Sequence, residues 1–169
     1  MAAADIISNY LEETKAQLIQ SYISKGLKAS GSFERGLQSS VRDTGRTIHG
    51  EITSEGHAWF MQEGRKPNKK ASEEDWKKWA YWATNEDISG GGFLKKWMRD
   101  KGIVGNAFMM AYGIAKRGSS VPNPYNQGNL FTDIFTEQWE QKMIDRVKAY
   151  YVRLFETEIT TDLKKLIAK

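Results

Sequence analysis

Leu37-Gln-Ser-Ser-Val-Arg-Asp-Thr-Gly-Arg-Thr-Ile-His-Gly-Glu-Ile-Thr53 is where the apolar period of the chain falls to two. Leu37, Ser39 and Val41 alternate with polar neighbours, and after Asp43-Thr44-Gly45 the alternation resumes through Ile48 and Ile52. The pattern predicts a β-hairpin with strands over Leu37–Asp43 and Arg46–Thr53. Two strands alone are marginal in water, so a helix must cover one face or partner strands must come from another subunit. The outer edge of such a hairpin is an assembly surface.

Outward from the hairpin the period is helical. Upstream, Ile6, Ile7, Tyr10, Leu11, Leu18, Ile19, Tyr22 and Ile23 form one stripe, with Thr14 in its gap and Gly26 as the stop. Ser30-Gly31-Ser32 marks the change of period. Downstream, the aromatic stretch Gly56–Pro67 predicts a short helical turn closed by Gly64, with Pro67 forcing an extended exit. Ser72 with Glu73, Glu74 and Asp75 reads as a capped helix start, with Trp76, Trp79, Ala80 and Ala83 as the inner stripe. Ser89-Gly-Gly-Gly92 reads as a flexible connector. Phe93–Lys101 predicts a helix with Phe93, Leu94, Trp97 and Met98 inward. Asn106–Arg117 predicts another, with Phe108, Met109, Tyr112, Ile114 and Ala115 apolar. After the loop Ser119–Gly128, a long helix is expected from about Thr132 through Phe135, Trp139, Met143, Val147, Tyr150, Leu154 and Leu163, with Thr160-Thr161 as its weak point. The expected fold is α+β: a small antiparallel hairpin packed with several helices, and long amphipathic helices at both ends. One domain over residues 1–169 is expected, divided into an N-terminal helix (1–27), a core (37–131) and a C-terminal helical segment (132–169).

Composition limits the function classes. The 169 residues are 40% hydrophobic and 27% charged, enough to build a core. No apolar run reaches the roughly 18 residues of a membrane span, and Met1-Ala-Ala-Ala-Asp5 has no signal-like charge and apolar pattern. The absence of cysteine excludes disulfides, thiolate zinc sites and a cysteine nucleophile, and fits a reducing cytoplasm. The net charge of +4 sits between Arg65 and Lys101, where ten basic residues face six acidic ones.

Chemistry-bearing patterns are sparse. His49 with Glu51, and His57 with Glu63, match no standard ligand spacing. No nucleophile elbow, Walker loop or dinucleotide fingerprint occurs. Paired acids such as Glu73-Glu74 are explained by a helix N-terminus. No catalytic residue, metal or cofactor is therefore expected, and the chain reads as a non-enzyme. Trp76-Lys-Lys-Trp79 and Lys95-Lys-Trp97 set cations beside rings that can stack on bases, which makes nucleic-acid binding the alternative reading. Helical spacing, however, points Lys77 and Lys78 away from the tryptophan face.

A more specific pattern lies in the order of several blocks. Glu51-Ile-Thr-Ser-Glu-Gly-His-Ala-Trp-Phe-Met-Gln-Glu-Gly-Arg-Lys-Pro67 resembles the hallmark of the tail-completion, or head–tail joining, proteins of tailed bacteriophages: a strand, a small residue, aromatics, then Glu-x-Gly-Arg/Thr-x-Pro. Leu94–Ile103 is similar to that family's tryptophan helix ending in Lys-Gly-Ile. Ala111–Gly118 is similar to its alanine-rich helix, and Pro122-Asn-Pro-Tyr125 to its proline-rich aromatic segment. The blocks span about Leu37 to Phe131. Lys69–Gly92 is longer than the family's usual connector and adds a tryptophan-rich helix.

The resemblance implies a structural virion protein that forms a ring in the phage neck. The ring would join the portal and head to the tail and continue the DNA channel. It implies a homo-oligomer of six or twelve copies, contacts with portal or adaptor and tail proteins, transient contact with viral DNA and no membrane. It implies assembly in the bacterial cytoplasm and residence in the virion. Trp59, Phe60, Glu63, Arg65 and Pro67 are the expected subunit contacts, since aromatics and Arg are common interface anchors. Lys69 and Lys70 would face the lumen or a neighbouring acidic ring.

Overall fold

The hairpin forms where the period-two stretch predicts it, and the computed structural model describes it with the rest of residues 2–28, 31–54 and 58–167. Among the described residues there are seven helices and one two-stranded antiparallel sheet, an α+β fold. In chain order these are α1 (Ala3–Ser24), α2 (Ser32–Gly36), β1 (Gln38–Asp43), β2 (Ile48–Thr53), α3 (Ala58–Glu63), α4 (Glu73–Thr84), α5 (Phe93–Asp100), α6 (Ala107–Arg117) and α7 (Glu137–Ile167). The chain divides into two units. The first holds residues 1–18, 37–53 and 131–169; the second holds residues 19–36 and 54–130.

In the first unit, Ser39 pairs with Ile52 and Val41 with Gly50. β2 begins two residues later than expected because Thr44-Gly45-Arg46-Thr47 is spent on the turn. The Thr44 amide donates to the Thr47 carbonyl at 3.0 Å, and the Gly45 amide to Asp43 Oδ1 at 2.7 Å. One face of the hairpin lies on α1: Ser39 donates to Glu12, and a side chain at position 50 would strike Leu11 and Ile7. The other partner of α1 is α7. Tyr10 and Trp139 rings lie 5.4 Å apart, the Tyr10 hydroxyl donates to the Trp139 carbonyl at 2.6 Å, and Trp139 Nε1 donates to Thr14 Oγ1 at 2.8 Å. Thr14 is almost fully buried, so its hydroxyl fills the gap in the apolar stripe with a satisfied polar group. Arg146 closes the edge, stacked 4.7 Å over Tyr10 and bonded through both nitrogens to Glu13 at 2.8 Å. That fork holds the Glu13 carboxyl below the usual carboxylate range. Thr14→Val should strand the indole N–H and cost about 1–2 kcal/mol in a urea titration, whereas Thr14→Ser should stay near wild type.

In the second unit, α4 and α6 cross on small residues. Ala80, Ala83 and Ala111 are fully buried, and Ala115 nearly so. Trp79, Trp97, Phe108 and Tyr112 pack around that alanine contact rather than within it. The tryptophans expected to form the inner stripe of α4 therefore flank it. α4 starts as the sequence predicts: Ser72 caps the Asp75 amide at 3.2 Å and Asp75 returns a bond to the Ser72 amide at 2.9 Å. Asn106 caps α6 through the Met109 amide. Leu94 and Met98 face inward on α5 as expected, but Phe93 is half-exposed against Trp82, and Met109 of α6 is exposed.

Three further departures have local causes. The glycine run 90–92 is a tight turn: the Gly92 amide donates to the Trp82 carbonyl at 3.0 Å, and a Cβ on Gly91 would sit 2.6 Å from two carbonyl oxygens. Gly91 and Gly92 are there for want of space, and Gly90 for its positive φ. α2 was not foreseen; Phe33 within it is fully buried and its ring lies 4.6 Å from Tyr22. α7 begins at Glu137, five residues later than expected, because a turn in which the Ile134 and Phe135 amides donate to the Phe131 carbonyl precedes it, and it runs unbroken past Thr160-Thr161, whose hydroxyls fold back onto the Glu156 and Thr157 carbonyls. The expected turn residue Ser30 lies outside the described residues.

A candidate interface at the Gly64–Pro67 turn

α3 is a helix of six residues, too short to stand on its own period. Ala58 and Gln62 anchor it inward, which turns Trp59, Phe60 and Glu63 outward. Trp59 is 58% and Phe60 50% exposed, an unusual expense of aromatic surface on a free molecule. The helix ends where the Gly64 amide donates to the Phe60 carbonyl at 3.0 Å, and Gly64 takes a left-handed φ of 76°.

Beyond Gly64 the chain is pinned to a segment 54 residues later. The Arg65 amide donates to the Ser119 carbonyl at 3.0 Å, and the Ser119 amide to the Arg65 carbonyl at 2.8 Å. Each partner is preceded by a glycine with positive φ, Gly64 and Gly118. A Cβ on Gly64 would lie 2.1 Å from the Ser119 oxygen, and one on Gly118 would lie 2.1 Å from the Arg65 oxygen. The two glycines thus allow the two backbones to meet.

The bridge fixes the direction of the Arg65 side chain. Its guanidinium carbon lies 3.9 Å from the centre of the Trp79 ring. Burial lowers its pKa from the ordinary arginine value. Among the described residues no carboxylate lies within ion-pair distance of this guanidinium. Four other cations of the basic segment are locally matched: Lys77 with Glu73 at 2.7 Å, Lys78 with Glu74 at 2.8 Å, and Lys95 and Arg99 with Glu86 at 3.5 and 3.3 Å.

Of the expected contacts, Trp59, Phe60, Glu63 and Arg65 line one open groove of about 270 Å³, together with Gly64 and Lys66. That volume falls below the roughly 300–1,000 Å³ of small-molecule sites. Pro67 is half-buried beside Gly118 instead. Lys69 and Lys70 are exposed on the following turn and do not line the groove. His49 and Glu51 are exposed on β2, and His57 lies outside the described residues.

Lys66 and the Gly118-Ser119 side of the bridge were missed by sequence reasoning, although a glycine before each bridging residue was the available signal. Of the outer stripe of α7 the sequence pattern picks out Leu163 alone, and assigns it to the Trp139–Leu154 period. Phe155, Ile159, Leu163 and Leu166 share one helix face at spacings of four, four and three, and are 64%, 43%, 52% and 69% exposed. Comparison with protein-family models, curated proteins and solved structures found no match to this chain.

Proposed function

We propose that this chain is a structural subunit of a bacteriophage neck, assembling into a ring that joins head to tail around the DNA channel. The observation that carries the reading is the bridge between Arg65 and Ser119. It joins the end of the Glu51–Pro67 block to Ser119, the residue that follows the Ala111–Gly118 block, and holds Arg65, which has no carboxylate partner among the described residues, in the same groove as the exposed Trp59 and Phe60. The Trp97 and Tyr125 rings, 6.0 Å apart, connect two further blocks of the same pattern. Exposed aromatics beside an arginine are the usual makings of an interface hot spot, and a heterologous contact repeated about an axis closes a ring. The i,i+4 pairing of Lys77 and Lys78 with glutamates argues against the alternative, a nucleic-acid binder, because those cations are already partnered.

Mass measurement of the purified chain, with imaging of the particle that contains it, tests this reading. A sixfold or twelvefold ring is expected; a strictly monomeric protein absent from virions overturns it. Trp59→Ala should abolish assembly while changing unfolding by no more than about 0.5 kcal/mol, because the side chain is exposed. Arg65→Ala should also abolish assembly, and should lose about 1 kcal/mol of stability with its stack on Trp79. Normal assembly by either variant removes that residue from the interface.

A further inference from the structure

Among the described residues the hairpin of the first unit has two edges and no third strand. The bond from the Thr44 amide to the Thr47 carbonyl closes its turn, and the ladder alternates from there. Arg42 with His49, Ser40 with Glu51 and Gln38 with Thr53 exchange their bonds inward. The backbone groups of Ser39, Val41 and Asp43 on β1, and of Ile48, Gly50 and Ile52 on β2, therefore point away from the hairpin. No backbone group among the described residues meets them. Gly50 is exposed and has no side chain, so what it shows to solvent is the backbone of the β2 edge. Neither strand has the lysine, proline or bulge that usually blunts an edge. On the face turned from α1, Gln38, Ser40, Arg42, His49, Glu51 and Thr53 are all exposed. Its two full charges are Arg42 on β1 and Glu51 on β2. They do not pair with each other, and neither has an ion-pair partner among the described residues.

We propose that β1 of one copy adds, antiparallel, to the β2 edge of a second copy, with Arg42 opposite the neighbouring Glu51. The proposal rests on the ring reading above for its partner and adds a contact to it. In this register Val41 lies opposite Ile52 and Asp43 opposite Gly50. These are the outward-pointing residues of both edges, so each pair exchanges both of its backbone bonds. Side-chain alternation is kept as well: Arg42 and Glu51 share the exposed face, while Val41 and Ile52 share the face that packs on α1. Asp43 meets a glycine, so no like charge stands against it. Charge chooses between the edges. β1 against β1 offers Arg42 no acid on this face, and β2 against β2 offers Glu51 no lysine or arginine. Only β1 against β2 brings opposite charges together across the junction. Every copy carries one edge of each kind, so the contact is head to tail and closes by rotation. Rotation about an axis along the strands keeps β1 antiparallel to the neighbouring β2, as it is to its own.

The chain has no cysteine, which permits a clean disulfide test on the full-length protein. Ser40 of one copy and Thr53 of the next form the adjoining pair in this register. It is a pair without hydrogen bonds, whose Cα atoms lie about 4.5 Å apart, within disulfide reach. Ser40→Cys and Thr53→Cys are prepared separately, mixed and oxidised. The expected product is a 40–53 linked dimer formed from the mixture and from neither variant alone. Dimers of the Ser40→Cys protein by itself would mean that β1 edges meet each other, and overturn the proposal. An assembled wild type whose mixed variants give no disulfide overturns the contact and leaves the ring intact. A wild type that stays monomeric at all concentrations overturns both. In parallel, Arg42→Glu and Glu51→Arg should each weaken association about tenfold by light scattering, because each sets like charges against one another. Both side chains are exposed, so urea titrations of the single variants should stay near wild type. The double variant, with the charges exchanged, should recover association. Unchanged association in the single variants, or no recovery in the double one, overturns the register.

Discussion

Gly64→Ala and Gly118→Ala should each cost about 3–4 kcal/mol, the largest effects expected from a single methyl addition at any described glycine. Two terms act together. A left-handed backbone strains any residue with a Cβ by about 1–2 kcal/mol, and both glycines hold φ near 77°. The added carbon would also lie 2.1 Å from a backbone oxygen, Ser119 for Gly64 and Arg65 for Gly118, well inside any real contact. A flexible side chain could swing aside, but a carbonyl held in the reciprocal pair cannot move without breaking it. Opening the bridge forfeits two backbone hydrogen bonds, each worth about 1 kcal/mol net. Urea titration followed by tryptophan fluorescence reads the loss, since Trp79 lies under Arg65. The double variant should cost little more than either single one, because both break the same bridge. Full additivity would mean that the two glycines act separately.

The hairpin was legible because a period of two has few other meanings, and Thr14 was legible as a gap because a stripe makes its exception visible. What escaped the sequence was governed by contacts distant along the chain or by elements too short for a period. α2 has five residues and buries one, so Phe33 left no pattern. Arg65 and Ser119 meet across 54 residues, and no local rule pairs them. The candidate contacts Trp59, Phe60, Glu63 and Arg65 were named from their resemblance to a family block, and they do share a groove; Pro67 from the same block serves the bridge instead. The period through Trp139, Met143, Val147, Tyr150 and Leu154 makes a complete stripe on α7, and Leu163 joins it in sequence only by crossing to another face. The second stripe begins at Phe155 on another face, and a helix carrying two faces in succession looks like one face with errors. Large apolar side chains also mislead at a crossing, where the closest approach selects the smallest.

That last point carries the second large effect. Ala111→Leu and Ala80→Leu should each destabilise the second unit by about 3 kcal/mol, at the upper end of the usual cost of overpacking. Ala80 and Ala111 are fully exposure-free within one cluster with Ala83 and Leu94. Three additional carbons at either position must push α4 and α6 apart or force neighbouring rings from their rotamers, since interiors are packed to crystal density. The surrounding Trp79, Trp97 and Phe108 are bulky, and both tryptophans make edge contacts, Trp79 with Phe93 at 6.1 Å and Trp97 with Tyr125 at 6.0 Å. They have little room to yield. Met109→Ala on the same helix provides the contrast: it removes as many heavy atoms as Ala111→Leu adds, but from a side chain 60% exposed, and should change stability by about 0.5 kcal/mol or less. Sequence reasoning ranks these the other way, because it counts methionine as core and alanine as filler. An Ala111→Leu protein as stable as wild type would mean that α4 and α6 have space between them, and that the tryptophans, not the alanines, set their separation.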